Sequence, residues 1–322
     1  MAKEGEGIAG TRIATAGVVG AGLIGLGWAI VFARAGVAVR VFDAAPEIRD
    51  RAPARLRASL DDMAAHGLVD DVATIAGRVT VVSSLEAAVA EADYVQESVL
   101  EQVALKQAVC AEIGRFLRAD AVVGSSSSGI PASAFTEAVP KRERFLVAHP
   151  VNPPHLVPLV ELVPAPWTDP TVVPWLRGVM EGLGQVPIVV NREIEGFILN
   201  RLQGALLNEA WALFDGGYAT VADIDRTVAH GLGLRWSFMG PFETIDLNAP
   251  GGVDDYAQRL SGLYHNVALS RTRPEQWSDE LVERVRQERR TILPQDELRQ
   301  RADWRDRRLM ALVAHRRAQP DQ

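Results

Sequence analysis

Cysteine is almost missing from this chain: Cys110 is the only one among 322 residues. No disulfide can form within it, which points to a reducing compartment and a cytoplasmic location. Lysine is nearly as scarce, confined to Lys3, Lys106 and Lys141, so arginine carries most of the positive charge. A net charge of −7 excludes the basic surface that a nucleic-acid partner needs. The six histidines are scattered, without the spacing or cysteine partners of a metal site, and no metal is expected. Charge is absent from Ile13–Ala33, a run long enough to cross a bilayer. Five glycines interrupt it, however, and acids accompany Lys3 and Arg12 in the residues before it. A secretory leader would have a positive start and a leucine-rich middle instead. A soluble protein with no membrane partner is the expectation. Internal repeats, low-complexity segments and flexible linkers are lacking too.

What is present suits one large or two medium domains, with 48% hydrophobic residues to build a core. Met1–Gly10 reads as a frayed polar tail. Ile13–Val19 reads as a buried strand that runs into Gly20-Ala21-Gly22-Leu23-Ile24-Gly25. A helix over Leu23–Ala35 follows, closed by Gly36, and then a strand over Val37–Phe42 that ends in Asp43, 23 positions after Gly20. Strand, glycine turn, helix and strand-end acid together form the context of a dinucleotide fingerprint. Gly20 would make the tight turn, Gly22 would admit the pyrophosphate, and Gly25 would let helix and strand pack closely. The amides of Leu23 and Ile24 open the helix toward the phosphates. Asp43 would accept the ribose hydroxyls. Ala44 and Ala45 follow it with no arginine for a 2′-phosphate, so NAD is expected over NADP. The plainer alternative is a glycine-rich turn that binds nothing.

Pro46–Gly77 reads as mainly helical. Further strands are expected at Val79–Val82, Tyr94–Val99, Ala121–Gly124 and Val186–Val190, and a helix at Leu105–Leu117 that buries Cys110. Glu101 and Lys106 lie just past a strand's C-terminal end, the edge where open α/β sheets bind ligands, although a solvated helix start would look the same. Ser125-Ser126-Ser127-Ser128-Gly129 leaves another strand at that edge, either as hydrogen-bond donors to a ligand or as ordinary loop. The predicted class is α/β: a Rossmann-type, doubly wound, mostly parallel sheet over residues 1–193, then an all-helical domain over 194–322.

The stretch Arg144–Pro164 carries the sharpest chemical signal. Phe145–Ala148 reads as a buried strand that delivers His149, and after a Pro-rich turn Val157–Val163 holds a single acid, Glu161. A carboxylate in so apolar a strand must find a partner, and His149 on the neighbouring strand is the candidate. A carboxylate behind an imidazole fixes its tautomer, as a general base requires. A strand-end histidine beside an unrelated edge glutamate is the alternative. Beyond Glu195 the pattern is helical throughout. A long helix starts near Gly196, Thr220 and Asp223 form an N-cap box, and Gly231–Pro241 reads as a connection containing Arg235. The arginine-rich amphipathic tail beyond Gly262 is expected to be solvated or to pack on a partner subunit.

Several motifs in this order make the chain resemble the 3-hydroxyacyl-CoA dehydrogenase family, within it the L-gulonate 3-dehydrogenase (lambda-crystallin) branch. They are V-V-G-A-G-L-I-G (18–25), E-S-V-L-E-Q-V-A-L-K (97–106), S-S-S-S-G-I (125–130), A-H-P-V-N-P-P with P-L-V-E-L-V-P (148–164), G-F-I-L-N-R-L (196–202) and G-L-G-L-R-W-S-F-M-G-P-F-E-T (231–244). The resemblance implies His149 as catalytic base, Glu161 as its orienting carboxylate, and Ser128 and Asn200 as contacts to the substrate oxygen. It also implies that Asp43, Glu101, Lys106 and Asn152 line the cofactor. Two features depart from the acyl-CoA enzymes. Pro150 and Val151 replace an aromatic pair after the histidine, and Pro46–Gly77 is short and lacks lysine, although Arg51, Arg55 and Arg57 remain to meet a CoA phosphate. Both argue against a CoA substrate. The expected reaction is NAD-dependent oxidation of the 3-hydroxyl of a small hydroxy acid, with Arg235 gripping its carboxylate. A short-chain 3-hydroxyacyl-CoA dehydrogenase, a carnitine-type dehydrogenase with Trp236 and Phe238 around the quaternary ammonium, and an NADH-binding crystallin are the alternatives. A homodimer is expected through the helical half.

Overall fold

The computed structural model describes residues 12–271 and 276–319. The expected tail Met1–Gly10 lies outside them. Eight strands, β1 (Thr15–Val19), β2 (Ala38–Phe42), β3 (Val79–Val81), β4 (Tyr94–Glu97), β5 (Val122–Ser125), β6 (Phe145–Pro150), β7 (Leu159–Pro164) and β8 (Val186–Val189), form one sheet in the order β3-β2-β1-β4-β5-β6-β7-β8. All neighbours run parallel except β6 and β7. The chain reverses its direction of winding between β1 and β4, so the glycine turn after β1 lies at the topological switch point, where such sheets bind ligands.

The apolar runs form strands because both sheet faces are covered. Val18, Val122, Leu146, Ala148, Val160 and Leu162 belong to one core, while their chain neighbours Val19, Val123, Phe145, Val147 and Val163 belong to the other. The first core takes Trp28 and Phe32 from helix Leu23–Arg34, Leu60 and Met63 from Pro46–Ala65, and Leu176 and Met180 from Val172–Gly182. The second takes Cys110 and Ile113 from Val103–Phe116 and Phe135 from Ser133–Thr136. Each large apolar side chain fully buried this way stabilises the fold by about 1.5–3 kcal/mol.

The chain divides into two compact units. The first runs to Leu202 and takes the chain up again at Ala302; the second is Gln203–Arg301. The C-terminal helix Leu298–Arg317 seats Met310 in the first core, with Leu309, Val313 and Ala314 against it, and Arg317 donates to the Leu68 carbonyl. One face of the arginine-rich tail is therefore part of the Rossmann unit, a finding that neither expectation for it anticipated. In the second unit Thr220 caps Val221–Thr227 by accepting from the Asp223 N–H, as its box predicts. Gly231–Pro241 is a correction. A π turn (Val228–Leu232) and an α turn (Gly233–Trp236) carry the helix through most of the expected connection. Gly233 has helical angles (φ −64°, ψ −30°), and a Cβ there would press within 2.9 Å of the Val228 carbonyl. The glycine serves close packing rather than a loop. Among the described residues of Gln203–Arg301, Phe214 and Thr244 alone are buried, while Phe238, Phe242 and Leu247 are largely exposed.

Candidate active site

The glycine turn builds a cradle from three differently used positions. Gly20 has φ +102°, and a Cβ there or at Gly25 would collide with backbone, at the Ser98 carbonyl and the Gly20 carbonyl respectively. Over Gly22 there is open space. Gly22 N-caps helix Leu23–Arg34 without a side-chain cap, which leaves the first-turn amides of Leu23, Ile24 and Gly25 for an anion. Asp43, at the end of β2, accepts from Ala21 N–H (2.8 Å) and Ala45 N–H (3.0 Å), so it ties the glycine turn down and keeps one lone pair on each oxygen for a ribose hydroxyl. This arrangement fits a dinucleotide. One neighbour escaped the sequence reading: Arg49 reaches back from the next helix to the carbonyls of Asp43 (2.5 Å) and Ala44 (3.2 Å) and lies over the Phe42 ring. It stands six positions beyond Asp43, past the Ala44-Ala45 pair that directly follows the strand-end acid.

Along the same sheet edge, the antiparallel register of β6 and β7 sets His149 directly opposite Glu161. Nδ1 of His149 lies 2.7 Å from Oε2 of Glu161, and both side chains are buried. The other oxygen, Oε1, accepts from the N–H groups of Ile198 (2.8 Å) and Leu199 (2.9 Å). Gly196 (φ +75°) and Phe197 (φ +48°) make the left-handed turn that aims those amides, and the Phe197 ring lies 5.8 Å from the imidazole. A buried phenylalanine in that region of backbone space costs about 1–3 kcal/mol, so the turn is held by its surroundings. Burial pushes the Glu161 carboxyl up, but the hydrogen bonds from His149, Leu199 and Ile198 outweigh it and hold it below the usual range. A charged acceptor on Nδ1 makes that nitrogen the donor and leaves the Nε2 lone pair, for which no partner exists among the described residues.

The serine loop after β5 forms a second group. Ser128 is exposed; its N–H donates to Oε1 of Glu101 (2.8 Å), and its carbonyl accepts from Nδ2 of Asn200. Glu101 also takes the Ser127 hydroxyl (2.8 Å) and the Gly129 N–H (3.2 Å). Behind it, the Lys106 ammonium sits 3.4 Å from Glu101 and 3.1 Å from each oxygen of Glu97. With 1% of its side chain exposed, Lys106 faces the serine loop only through Glu101. Glu97 itself, wholly buried at the end of β4, was not singled out from sequence, where it reads as one more strand residue. Asn152 is exposed in the turn between β6 and β7. Arg235 lies in the second unit, exposed and without an ion-pair partner among the described residues. No group of three or more His, Cys, Asp or Glu side chains among the described residues could hold a metal ion. Nor is any described helix long and apolar enough to cross a membrane.

The sequence profile of the 3-hydroxyacyl-CoA dehydrogenase NAD binding domain matches residues 15–194, and that of the C-terminal domain of the same enzymes matches 196–293. The chain belongs to the 3-hydroxyacyl-CoA dehydrogenase family. It is an NAD-dependent oxidoreductase of that type. The lambda-crystallin homolog of Mus musculus is 36% identical over 301 residues, covering 92% of this chain and 94% of its own. The L-carnitine dehydrogenase of Oceanobacillus iheyensis is 37% identical over 270 residues, covering 83% and 87%. Among solved structures, 5-formyl-3-hydroxy-2-methylpyridine 4-carboxylic acid 5-dehydrogenase, an NAD+-dependent dismutase, superposes with a TM-score of 0.80 at 28% identity, covering 95% of this chain and 98% of its own.

Proposed function

We propose that this protein oxidises the 3-hydroxyl of a small free hydroxy acid, L-gulonate or a close analogue, to the 3-keto acid. Bound NAD supplies the hydride acceptor. His149 takes the hydroxyl proton on Nε2 while Glu161 holds Nδ1–H and stabilises the imidazolium that forms. Ser128 and Asn200 orient the oxygen and donate to it more strongly as negative charge develops. The observation that carries this reading is the His149–Glu161 pair, anchored by the Ile198 and Leu199 amides with Nε2 unclaimed.

Preference for a free acid over a thioester rests on three features. Relatives include an L-carnitine dehydrogenase, and a structural neighbour is named for a pyridine carboxylic acid. The segment Pro46–Gly77 has no lysine to meet a CoA phosphate. Arg235 carries a guanidinium that no described carboxylate has taken. Arg235→Ala should then raise KM for the acid on the order of 10-fold or more, the worth of a charge-assisted hydrogen bond, with NADH affinity unchanged. An unchanged KM rejects that role. A homodimer suits the second unit, whose exposed Phe238, Phe242 and Leu247 need a cover. A reducing, cytoplasmic setting suits the free, buried Cys110.

The test is NADH formation by the purified protein with L-gulonate, 3-hydroxybutyrate, L-carnitine and 3-hydroxybutyryl-CoA. Turnover of a free acid without the thioester supports the reading. Preference for the thioester overturns it and makes Arg235 structural. Turnover of L-carnitine alone would direct attention to Trp236 and Phe238 as the ammonium site.

A further inference from the structure

The cluster Glu97–Lys106–Glu101 places two carboxylates and one ammonium at the end of β4, with Glu97 and Lys106 fully buried. Such a cluster is expensive to desolvate, and apolar residues of similar volume would serve stability as well or better. Its connections explain its presence. Every acceptor direction of Glu97 is used: Oε1 takes Lys106 and the Val99 N–H (2.7 Å), and Oε2 takes Lys106 and the Ser125 hydroxyl. Lys106 passes the constraint to Glu101, which is part exposed and has no other cation on it among the described residues. Glu101 in turn holds the N–H groups of Ser128 and Gly129 and the Ser127 hydroxyl. The loop is thus held at its start by Glu97 through Ser125, and at its tip by Glu97 through Lys106 and Glu101.

We propose that Glu97 is a positioning residue for Ser128: it fixes the serine loop from inside the sheet without touching substrate or cofactor. The inference rests on the reading of Ser128 as the hydroxyl-orienting residue, but its geometry can be tested without turnover. Two variants separate positioning from stability. Glu97→Gln leaves the Lys106 ammonium partly unpaired in the core and should lower Tm. The double variant Glu97→Gln with Lys106→Met removes that charge and should recover most of the Tm, because a buried pair replaced as a unit costs little. Both variants cut the connection from Glu97 to Glu101: the single one weakens the hold of residue 97 on Lys106, and the double one removes the ammonium itself. In both, amide hydrogen exchange in the peptide covering residues 126–130 should speed by about 10-fold or more while β4 and β5 keep their protection. In both, kcat should fall about 10–100-fold, the cost of a misplaced orienting group, with KM for NAD little changed. Wild-type exchange in 126–130 in the double variant overturns the proposal, and so does recovery of kcat together with Tm. If the wild-type protein turns over no 3-hydroxy acid yet the exchange result holds, Glu97 still positions the loop, and the reading of the reaction is what fails.

Discussion

Two buried charged clusters share the C-terminal edge of one sheet and are built to opposite ends. The Glu97–Lys106–Glu101 cluster is closed: every donor and acceptor on Glu97 and Lys106 is spent on protein. The His149–Glu161 pair is open at one end, with Glu161 held by His149, Ile198 and Leu199 while Nε2 of His149 has no partner among the described residues. A buried network with nothing unspent can hold a shape; one that leaves an imidazole lone pair unspent can do chemistry. The two meet through neighbouring residues of one helix start. Leu199 N–H ends on Glu161, and Asn200 Nδ2 ends on the Ser128 carbonyl, whose loop Glu101 holds.

The contrast is broken most severely at its open end. His149→Gln keeps a polar side chain of similar reach but cannot accept a proton, and should lower kcat/KM by roughly 10²–10⁴-fold while NADH still binds. Near-wild-type turnover would remove His149 from the chemistry. A smaller loss, roughly 10–100-fold, is expected for Glu161→Gln. The amide can accept from His149 or from the Ile198 and Leu199 N–H groups, but its NH2 then faces donors on the other side. If the pair is one unit, Glu161→Gln in the His149→Gln background should cost almost nothing more in rate, and additive losses would show two separate functions. The lowered Glu161 pKa also sets the acid side. Its folded value lies below its unfolded value, so its contribution to stability is fully present above the unfolded value and disappears only as pH falls through the folded one.

The legible parts of this site were those whose partners are set by local pattern. The glycine turn and Asp43 follow from strand and helix periodicity. The meeting of His149 and Glu161 follows from a hairpin whose register is fixed by two apolar runs either side of a Pro-rich turn. What sequence did not disclose depends on side chains returning across distance. Glu97 acquires its meaning only when β4 and β5 pair and bring Ser125 to it. Arg49 is adjacent to Asp43 only because the helix begins so soon after β2. The C-terminal helix rejoins the first core over Met310, a contact its arginine-rich composition conceals. Gly233 misled in the other direction, because a glycine needed for close packing inside a helix looks like a glycine needed for a turn.

The smallest expected effect comes from a third group, partly buried, that has no carboxylate at all. His155 packs on helix Leu23–Arg34, where a Cβ at Gly27 would lie 3.2 Å from its Nδ1, and that nitrogen has no hydrogen-bond partner among the described residues. Its carbonyl accepts from Arg34, whose guanidinium is itself buried enough to titrate at about 10, with Arg317 adding positive charge nearby. Burial and then the Arg34 charge lower the His155 pKa to about 4. Both clusters at the active edge offset burial with an opposite charge; this site offsets it by keeping the ring neutral. In the unfolded chain the imidazole takes a proton below roughly pH 6.5. Between there and about 4 the unfolded state holds a proton that the folded state refuses, so stability falls as pH falls. At pH 5 the loss should be about 2 kcal/mol relative to pH 7, and His155→Phe should be spared that part of it. Urea unfolding of both proteins at the two pH values measures the difference. Equal pH dependence would mean that the ring is solvated enough to titrate normally, and that the missing partner at Nδ1 is water.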